Sequence, residues 1–170
     1  MQFFMWILLC IIIAQRLIEL VIANKNEIWM KEQGGVETGE RHYKWFIILH
    51  SSFFVAMIVE ALVRDVTDLE LNYFLLFVFI ITQIGRIWCI ATLGKFWNTK
   101  IIVLQDFPLV KKGPYTYIKH PNYIIVGIEL FTIPLIFGAI ITAIVFPILH
   151  ILLLMIRIPM EEKALAKANF

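Results

Sequence analysis

Two short clusters in the C-terminal half of the chain carry residue types that could do chemistry. In the first, residues 113–123, three tyrosines surround His120, and Pro121 follows it directly. A Gly-Pro pair marks a turn and Pro121 suits the first turn of a helix, so His120 is expected at a helix N-terminus. The free N–H groups there would attract a carboxylate or a hydroxyl-rich ligand. An aromatic belt that anchors the helix at the membrane surface would explain the tyrosines equally well.

The second cluster, residues 157–162, contains Arg157, Glu161 and Glu162. Arg157 offers a planar fork of donors to an anionic oxygen. On a helix, Glu161 would lie one turn further along and face the same side. Taken alone, this cluster is better explained as a positively charged anchor at the cytoplasmic membrane surface, followed by a solvated tail.

The composition places both clusters at a membrane. The chain has 170 residues, of which 61% are hydrophobic and 16% are charged, and its mean hydropathy is +0.83. Soluble domains carry about 25% charged residues, and a chain of this length cannot bury so much apolar surface in one aqueous core. We therefore predict an all-α integral membrane protein.

The same composition excludes several classes of function. The net charge is only +2 and the basic residues are dispersed, so no nucleic-acid partner is expected. Cys10 and Cys89 are too few and too far apart for a disulfide framework or a zinc site, and we predict no metal. No G-x-G-x-x-G sequence occurs, which excludes a Rossmann-type cofactor domain.

Apolar runs define the predicted helices. Spanning the ~30 Å hydrocarbon core takes about 20 residues, and three runs meet that requirement: residues 3–23, 43–63 and 71–93. A fourth run, residues 123–156, is too long for one span, and Gly138 lies near its middle. We predict that it forms two short helices in a hairpin that turns near residues 137–138.

These elements predict a single domain of about five transmembrane helices. Residues 1–94 would hold the first three helices, and residues 95–170 a ligand-binding loop, the hairpin and a polar tail. Lys and Arg favour cytoplasmic loops, and here they collect in three alternate segments: residues 24–44, 95–121 and 157–167. The N-terminus is therefore predicted outside and the C-terminus in the cytoplasm, with both clusters on the cytoplasmic face.

Together the two clusters resemble the isoprenylcysteine carboxyl methyltransferase family and the related phospholipid methyltransferases. The shared features are Gly-Pro-Tyr at 113–115, His-Pro-Asn-Tyr at 120–123 and Arg-x-x-x-Glu-Glu at 157–162. The resemblance covers residues 83–165, and the run at 15–20 is similar to the short bacterial branch. It implies an enzyme of the bacterial plasma membrane that transfers a methyl group from S-adenosylmethionine to a lipophilic acceptor.

The resemblance also implies a role for each matching position. The cofactor would be contacted by Leu109 and Val110 before the turn, by Tyr115, by His120, Pro121, Asn122 and Tyr123, and by Glu161. Arg157 would face the acceptor. The loop before the turn is shorter than in the eukaryotic enzymes, so contacts around residues 100–105 stay unassigned.

The methyl donor decides what the protein must do. A sulfonium methyl group is already electrophilic, so the enzyme must mainly align donor and acceptor and exclude water, and tyrosine faces can stabilise the sulfonium by about 0.5–2 kcal/mol. A carboxylate or acidic enol needs no base, and Arg157 would hold its oxygen. Long-chain polyketide pyrones, which short bacterial relatives are thought to methylate, have such an enol. A neutral alcohol or amine would need a base, for which Glu162 and His120 are the candidates.

Several polar residues lie in or near the apolar runs: Arg16, Glu19, Glu60, Arg86, Glu129, His50 and His150. A centrally placed charge costs about 2.5–3.5 kcal/mol, so we expect Arg16 to pair with Glu19 along one helix and Arg86 with Glu129 across two helices. These pairs would border an acceptor cavity. For the two histidines, packing in the core or at an interface is favoured over metal binding.

Two other classes of function fit the same composition. One is a non-catalytic small transporter or assembly subunit, in which the tyrosines and charges only anchor helices. The other is a membrane reductase of related architecture that uses a nicotinamide cofactor. Binding of S-adenosylhomocysteine by the purified protein, measured beside NADPH, separates these alternatives from the methyltransferase.

Overall fold

The computed structural model describes residues 3–64, 70–105 and 107–168. Within them lie five α-helices: α1 Phe3–Glu32, α2 Glu40–Val63, α3 Tyr73–Leu93, α4 Pro121–Ile136 and α5 Ile140–Ala168. Two short strands, β1 Val36–Thr38 and β2 Ile101–Val103, and two 3-10 turns, Gly94–Phe96 and Gly113–Thr116, complete the regular structure of these ranges.

Four of the helices, α1, α2, α3 and α5, are long and apolar enough to cross a membrane. The remaining helix, α4, is apolar but has 16 residues, which is about 24 Å at 1.5 Å per residue. That length falls short of the ~30 Å hydrocarbon core. The described residues therefore support four spans and one shorter apolar helix, where the sequence predicted about five spans.

The predicted hairpin is present, and it turns where the sequence indicated. Helix α4 ends at Ile136, and Gly138 adopts a φ of 72°, a left-handed conformation that glycine reaches without steric cost. The carboxylate of Glu60 on α2 accepts hydrogen bonds from the backbone N–H groups of Ile141 and Thr142, both at 2.8 Å. Glu60 thus caps the start of α5 and sets the hairpin tip level with the last turn of α2.

The second helix of the predicted hairpin is longer than the sequence indicated. Helix α5 continues through Pro147 and Pro159 to Ala168, so the 157–162 cluster lies on a helix and not beyond its end. Contacts with the loop and with α4, through Arg157 and Glu161, hold this last part of α5. The second helix of the hairpin is therefore long, whereas two short helices were predicted.

A small sheet was not predicted, so the all-α expectation holds only for the helical bulk of the chain. Strand β1 pairs antiparallel with β2, with Val36 opposite Val103 and Thr38 opposite Ile101. Three-residue strands are too short to produce a recognisable alternation in sequence. The sheet ties the α1–α2 connection to the loop that leads into the first cluster.

The three basic segments meet at one end of the helix bundle. The sheet joins the first segment to the second, as does the ion pair between Lys100 Nζ and Glu27 Oε1 at 2.7 Å, whose hydrogen bond raises the pKa of Lys100. The third segment joins them where Arg157 donates to the backbone oxygen of Thr99 at 2.6 Å. This agrees with a shared face for both clusters.

The side of the membrane on which that face lies is a testable prediction. Because Lys and Arg are retained on the cytoplasmic side, a reporter fused after Phe170 should be active in the cytoplasm, and one inserted near Asp68 should be active outside. Both insertion points lie outside the described residues. Paired fusions to alkaline phosphatase and to a fluorescent protein measure this, and an external C-terminus would contradict the predicted orientation.

Candidate active site

A cavity of about 350 Å³ lies between all five helices. Its walls are mostly apolar, with side chains that include Ile13 and Leu17 of α1, Phe53 of α2, and Val126 and Ile133 of α4. Cavities of about 300–1,000 Å³ with apolar walls and a few polar groups are typical of small-molecule sites. One set of polar groups lies where the loop and the starts of α2 and α4 meet α5, and a second set of charged side chains comes from α1, α3 and α4.

Tyr123 joins the two sequence clusters at the polar end of the cavity. Its hydroxyl donates to Glu161 Oε2 at 2.5 Å and accepts a hydrogen bond from Arg157 Nε at 2.6 Å. The first cluster, at the start of α4, is therefore linked directly to the second cluster on α5. The fold thus brings together residues whose proximity was expected only from the resemblance.

Three residues fix the position of the Arg157 side chain, and one nitrogen of its guanidinium group takes no part in these contacts. Besides the Tyr123 hydroxyl, Arg157 donates through Nη2 to the backbone oxygen of Thr99 at 2.6 Å, and it lies over the Phe46 ring at 4.9 Å. The residue is only 8% exposed and lines the cavity. In the part of the chain that the structure describes, Nη1 has no hydrogen-bond partner. Two arms of the fork thus position the side chain, and the remaining N–H groups are available to an anionic oxygen.

His120 occupies the N-cap of α4, and Pro121 is the first helical residue, as the Pro121 pattern predicted. Its ring stacks on Tyr123 with centroids 5.4 Å apart, and its Nδ1 lies 3.8 Å from Glu161 Oε1. Among the described residues, His120 Nε2 and Asn122 Oδ1 are buried without a hydrogen-bond partner. Buried polar atoms are normally paired, so these two atoms could bind polar groups of a ligand.

The 3-10 turn Gly113–Thr116 docks onto α3. Gly113 has a φ of 52°, and a Cβ there would lie 2.7 Å from Thr92 Oγ1, so another residue would clash as well as strain the backbone. Tyr115 is partly buried, and this burial raises the pKa of its hydroxyl. The turn therefore lies closely against the bundle beside the His120 cluster.

Of the ten predicted site residues, Asn122, Tyr123 and Arg157 line the cavity and the other seven do not. Leu109 is exposed and Val110 partly exposed, in the stretch that precedes the turn, and neither lines the cavity. Glu162 is exposed, with Lys119 Nζ at 3.3 Å and His120 Nε2 at 3.6 Å. The predicted roles of these three, ligand contact for Leu109 and Val110 and a base for Glu162, stay predictions.

The predicted ion pairs within the apolar helices are confirmed. Arg16 contacts Glu19 at 2.8 Å, and Arg86 contacts Glu129, with Nε donating to Oε1 at 3.1 Å. Arg16 also reaches Glu129 at 2.8 Å and Arg86 reaches Glu19 at 3.3 Å, so the four residues form one neutral network. All four line the cavity, which agrees with their expected place at its border.

Sequence reasoning missed several residues of the site. The Thr99 carbonyl and the Phe46 ring hold Arg157, and Tyr43 hydrogen-bonds Thr99 Oγ1 at 3.0 Å. His50 and His150, expected to be packing residues, both line the cavity. The aromatic-rich stretch 43–46 overlaps the end of the first basic segment, and this position could have indicated a link to the loop.

The fold and site define a class: integral membrane proteins in which loop residues and helix ends build a polar site at the mouth of an apolar cavity. The profile of the "Isoprenylcysteine carboxyl methyltransferase (ICMT) family" matches residues 74–167, and the chain belongs to this methyltransferase family. The match includes both clusters and the hairpin between them.

Two similar proteins come from bacteria. "Uncharacterized protein YpbQ" of Bacillus subtilis (strain 168) is 42% identical over 94% of this chain and 95% of its own length. An "Uncharacterized protein" of Haemophilus influenzae is 28% identical over 91% of each chain. No solved structure gives a significant match. The full-length similarity to bacterial proteins agrees with the short bacterial branch expected from the sequence.

Proposed function

We propose that this protein transfers a methyl group from S-adenosylmethionine to an ionised oxygen, a carboxylate or acidic hydroxyl, of a lipophilic acceptor bound in the cavity. The observation that carries the proposal is the chain of contacts from Arg157 through Tyr123 to Glu161. It links the expected donor cluster to the polar end of an apolar cavity.

The residues of the first cluster fit the methyl donor. His120 Nε2 and Asn122 Oδ1 are buried polar atoms that need a partner, and a molecule rich in hydroxyl, amine and carboxylate groups would supply one. Tyr115, His120, Pro121, Asn122, Tyr123 and Glu161 would hold S-adenosylmethionine, with Leu109 and Val110 flanking it. When bound, it supplies an electrophilic methyl group.

The protein's own residues then have defined tasks. Arg157 would hold the acceptor oxygen through its unused N–H groups, while Tyr123 and Thr99 fix the orientation of its guanidinium group. An oxygen that is already ionised needs no base, so orientation is the main contribution to rate. The apolar walls exclude water from the reacting groups.

The exposure of residues on the outer walls of the cavity favours a lipophilic acceptor. Leu17 and Ile47 line the cavity, yet they are 58% and 51% exposed on the bundle surface, which in a membrane faces lipid. A tail in the cavity would therefore lie next to the acyl chains from which the acceptor comes. Long-chain polyketide pyrones and prenylated or lipid-like acids have this combination of an acidic head and an apolar tail.

A methyl-transfer assay tests the proposed reaction. Full-length protein purified in detergent is incubated with methyl-labelled S-adenosylmethionine and either 4-hydroxy-6-pentadecyl-2-pyrone or stearic acid. Label should enter the organic phase with at least one acidic amphiphile and not with 1-octadecanol, whose hydroxyl is neutral. Equal labelling of the alcohol would contradict the requirement for an ionised oxygen.

The donor site gives a separate prediction. His120→Ala should weaken binding of S-adenosylhomocysteine by about 1–3 kcal/mol, the cost of leaving a buried polar group without its partner, or roughly 5- to 150-fold in Kd. The matched control is Lys119→Ala, since the neighbouring lysine side chain is 81% exposed. Calorimetry on both folded variants checks this, and an unchanged Kd for His120→Ala would favour the aromatic-belt explanation.

A further inference from the structure

His150 lines the same cavity at a deeper level than Arg157. It is 2% exposed and precedes Arg157 by two helical turns on α5, which corresponds to about 10 Å along the axis. Both side chains line the cavity, so one elongated ligand could contact both.

The contacts of His150 define which edge of its ring is free. Nε2 lies 3.3 Å from the backbone oxygen of Tyr123, and Cδ2 lies 3.9 Å from the position of a Cβ on Gly127. The edge that carries Nε2 and Cδ2 therefore faces α4, and the opposite edge, which carries Nδ1, faces away from it. On α2, the rings of Phe46 and His50 meet His150 edge-on, each with centroids 6.4 Å apart.

The hydrogen bond to Tyr123 also sets the chemistry of the free nitrogen. A carbonyl oxygen only accepts, so Nε2 carries the proton and, in the neutral ring, Nδ1 is an acceptor. Among the described residues, Nδ1 is buried without a hydrogen-bond partner. Buried polar atoms rarely stay unpaired, and the matching partner for this one is an O–H or N–H donor.

We propose that His150 forms a second polar subsite, which takes a hydroxyl or N–H group on the tail of the acceptor whose oxygen Arg157 holds; the two residues lie about 10 Å apart along the axis of α5. This inference rests on the proposed function and narrows its acceptor class. The acceptor is then an amphiphile with a hydrogen-bond donor part-way along its tail, and not one with a plain hydrocarbon chain. His150 acts as a specificity-determining residue and takes no part in methyl transfer.

Two fatty acids serve as probes, because they differ only by a hydroxyl at about this distance from the carboxylate. Binding of stearic acid and of 10-hydroxystearic acid is measured by calorimetry on the full-length protein in detergent, saturated with S-adenosylhomocysteine. The wild-type protein should prefer the hydroxylated acid by roughly tenfold, as expected for one satisfied buried acceptor. His150→Phe should bind both acids equally and keep its affinity for S-adenosylhomocysteine.

The wild-type comparison alone decides the proposal if the variant does not fold. A wild-type protein without preference for 10-hydroxystearic acid, whether it binds both acids or neither, overturns the subsite. A preference that persists in folded His150→Phe overturns the assignment to His150. Failure of the proposed function has a different signature, which is the absence of S-adenosylhomocysteine binding before either acid is added.

Discussion

Arg157→Lys is expected to reduce methyl transfer by roughly 10- to 150-fold and to leave the affinity for S-adenosylhomocysteine nearly unchanged. The substitution keeps the positive charge, but it removes the planar group that Tyr123, Thr99 and the Phe46 ring hold in place. A lysine ammonium cannot reproduce that fork. The expected loss follows from the ~1.5–3 kcal/mol that a hydrogen bond to a charged group contributes.

Two companion variants make the result specific. Arg41→Lys is the same change at an exposed arginine in the first basic segment, and it should keep full activity. Glu161→Gln removes the charge beside Tyr123 and His120, so it should weaken S-adenosylhomocysteine binding directly. Steady-state methyl transfer and calorimetry on the three variants separate the acceptor side from the donor side. A fully active Arg157→Lys protein would mean that Arg157 is only a membrane anchor.

Arg86→Met is expected to destabilise the protein by about 3–5 kcal/mol, the usual effect of removing one partner of a buried ion pair. Arg86 is 4% exposed and contacts both Glu129 and Glu19. Without it, two buried carboxylates share Arg16 as their remaining arginine in the network. For a chain of this length, each kcal/mol lowers Tm by about 2–4 °C, so thermal unfolding in detergent should show a large shift.

The neutral double variant and an exposed pair provide the controls. Arg86→Met combined with Glu129→Met removes a complete pair and should recover much of the stability. Arg64→Met breaks an ion pair with Glu60 in which the arginine side chain is 40% exposed, and exposed pairs contribute about 0–1 kcal/mol. Equal Tm values for Arg86→Met and Arg64→Met would show that the buried network does not stabilise the fold.

Sequence patterns were sufficient where one local rule dominated. The apolar runs located the helices, Gly138 located the hairpin turn, and Pro121 placed His120 at a helix start. The cost of burying charge predicted the pairing of Arg86 with Glu129. In each case a single strong constraint, lipid, backbone geometry or charge, left few alternatives.

Other features depended on contacts between distant segments. The sheet between β1 and β2 has three residues per strand, too few to leave a pattern in sequence. The helical course of residues 157–168 is held by partners on α4 and on the loop. Thr99 accepts the hydrogen bond from Arg157 through its backbone carbonyl, and any residue type could have supplied that carbonyl.

Calorimetric titration of the purified full-length protein with S-adenosylhomocysteine tests the central claim most directly. If the His120 cluster is a methyl-donor site, the protein binds S-adenosylhomocysteine with saturable, one-to-one stoichiometry, and NADPH neither binds nor competes. Tyr123→Phe, which removes the hydroxyl between Arg157 and Glu161, should weaken that binding measurably. A folded wild-type protein that binds no S-adenosylhomocysteine, or that binds NADPH in its place, would contradict the account.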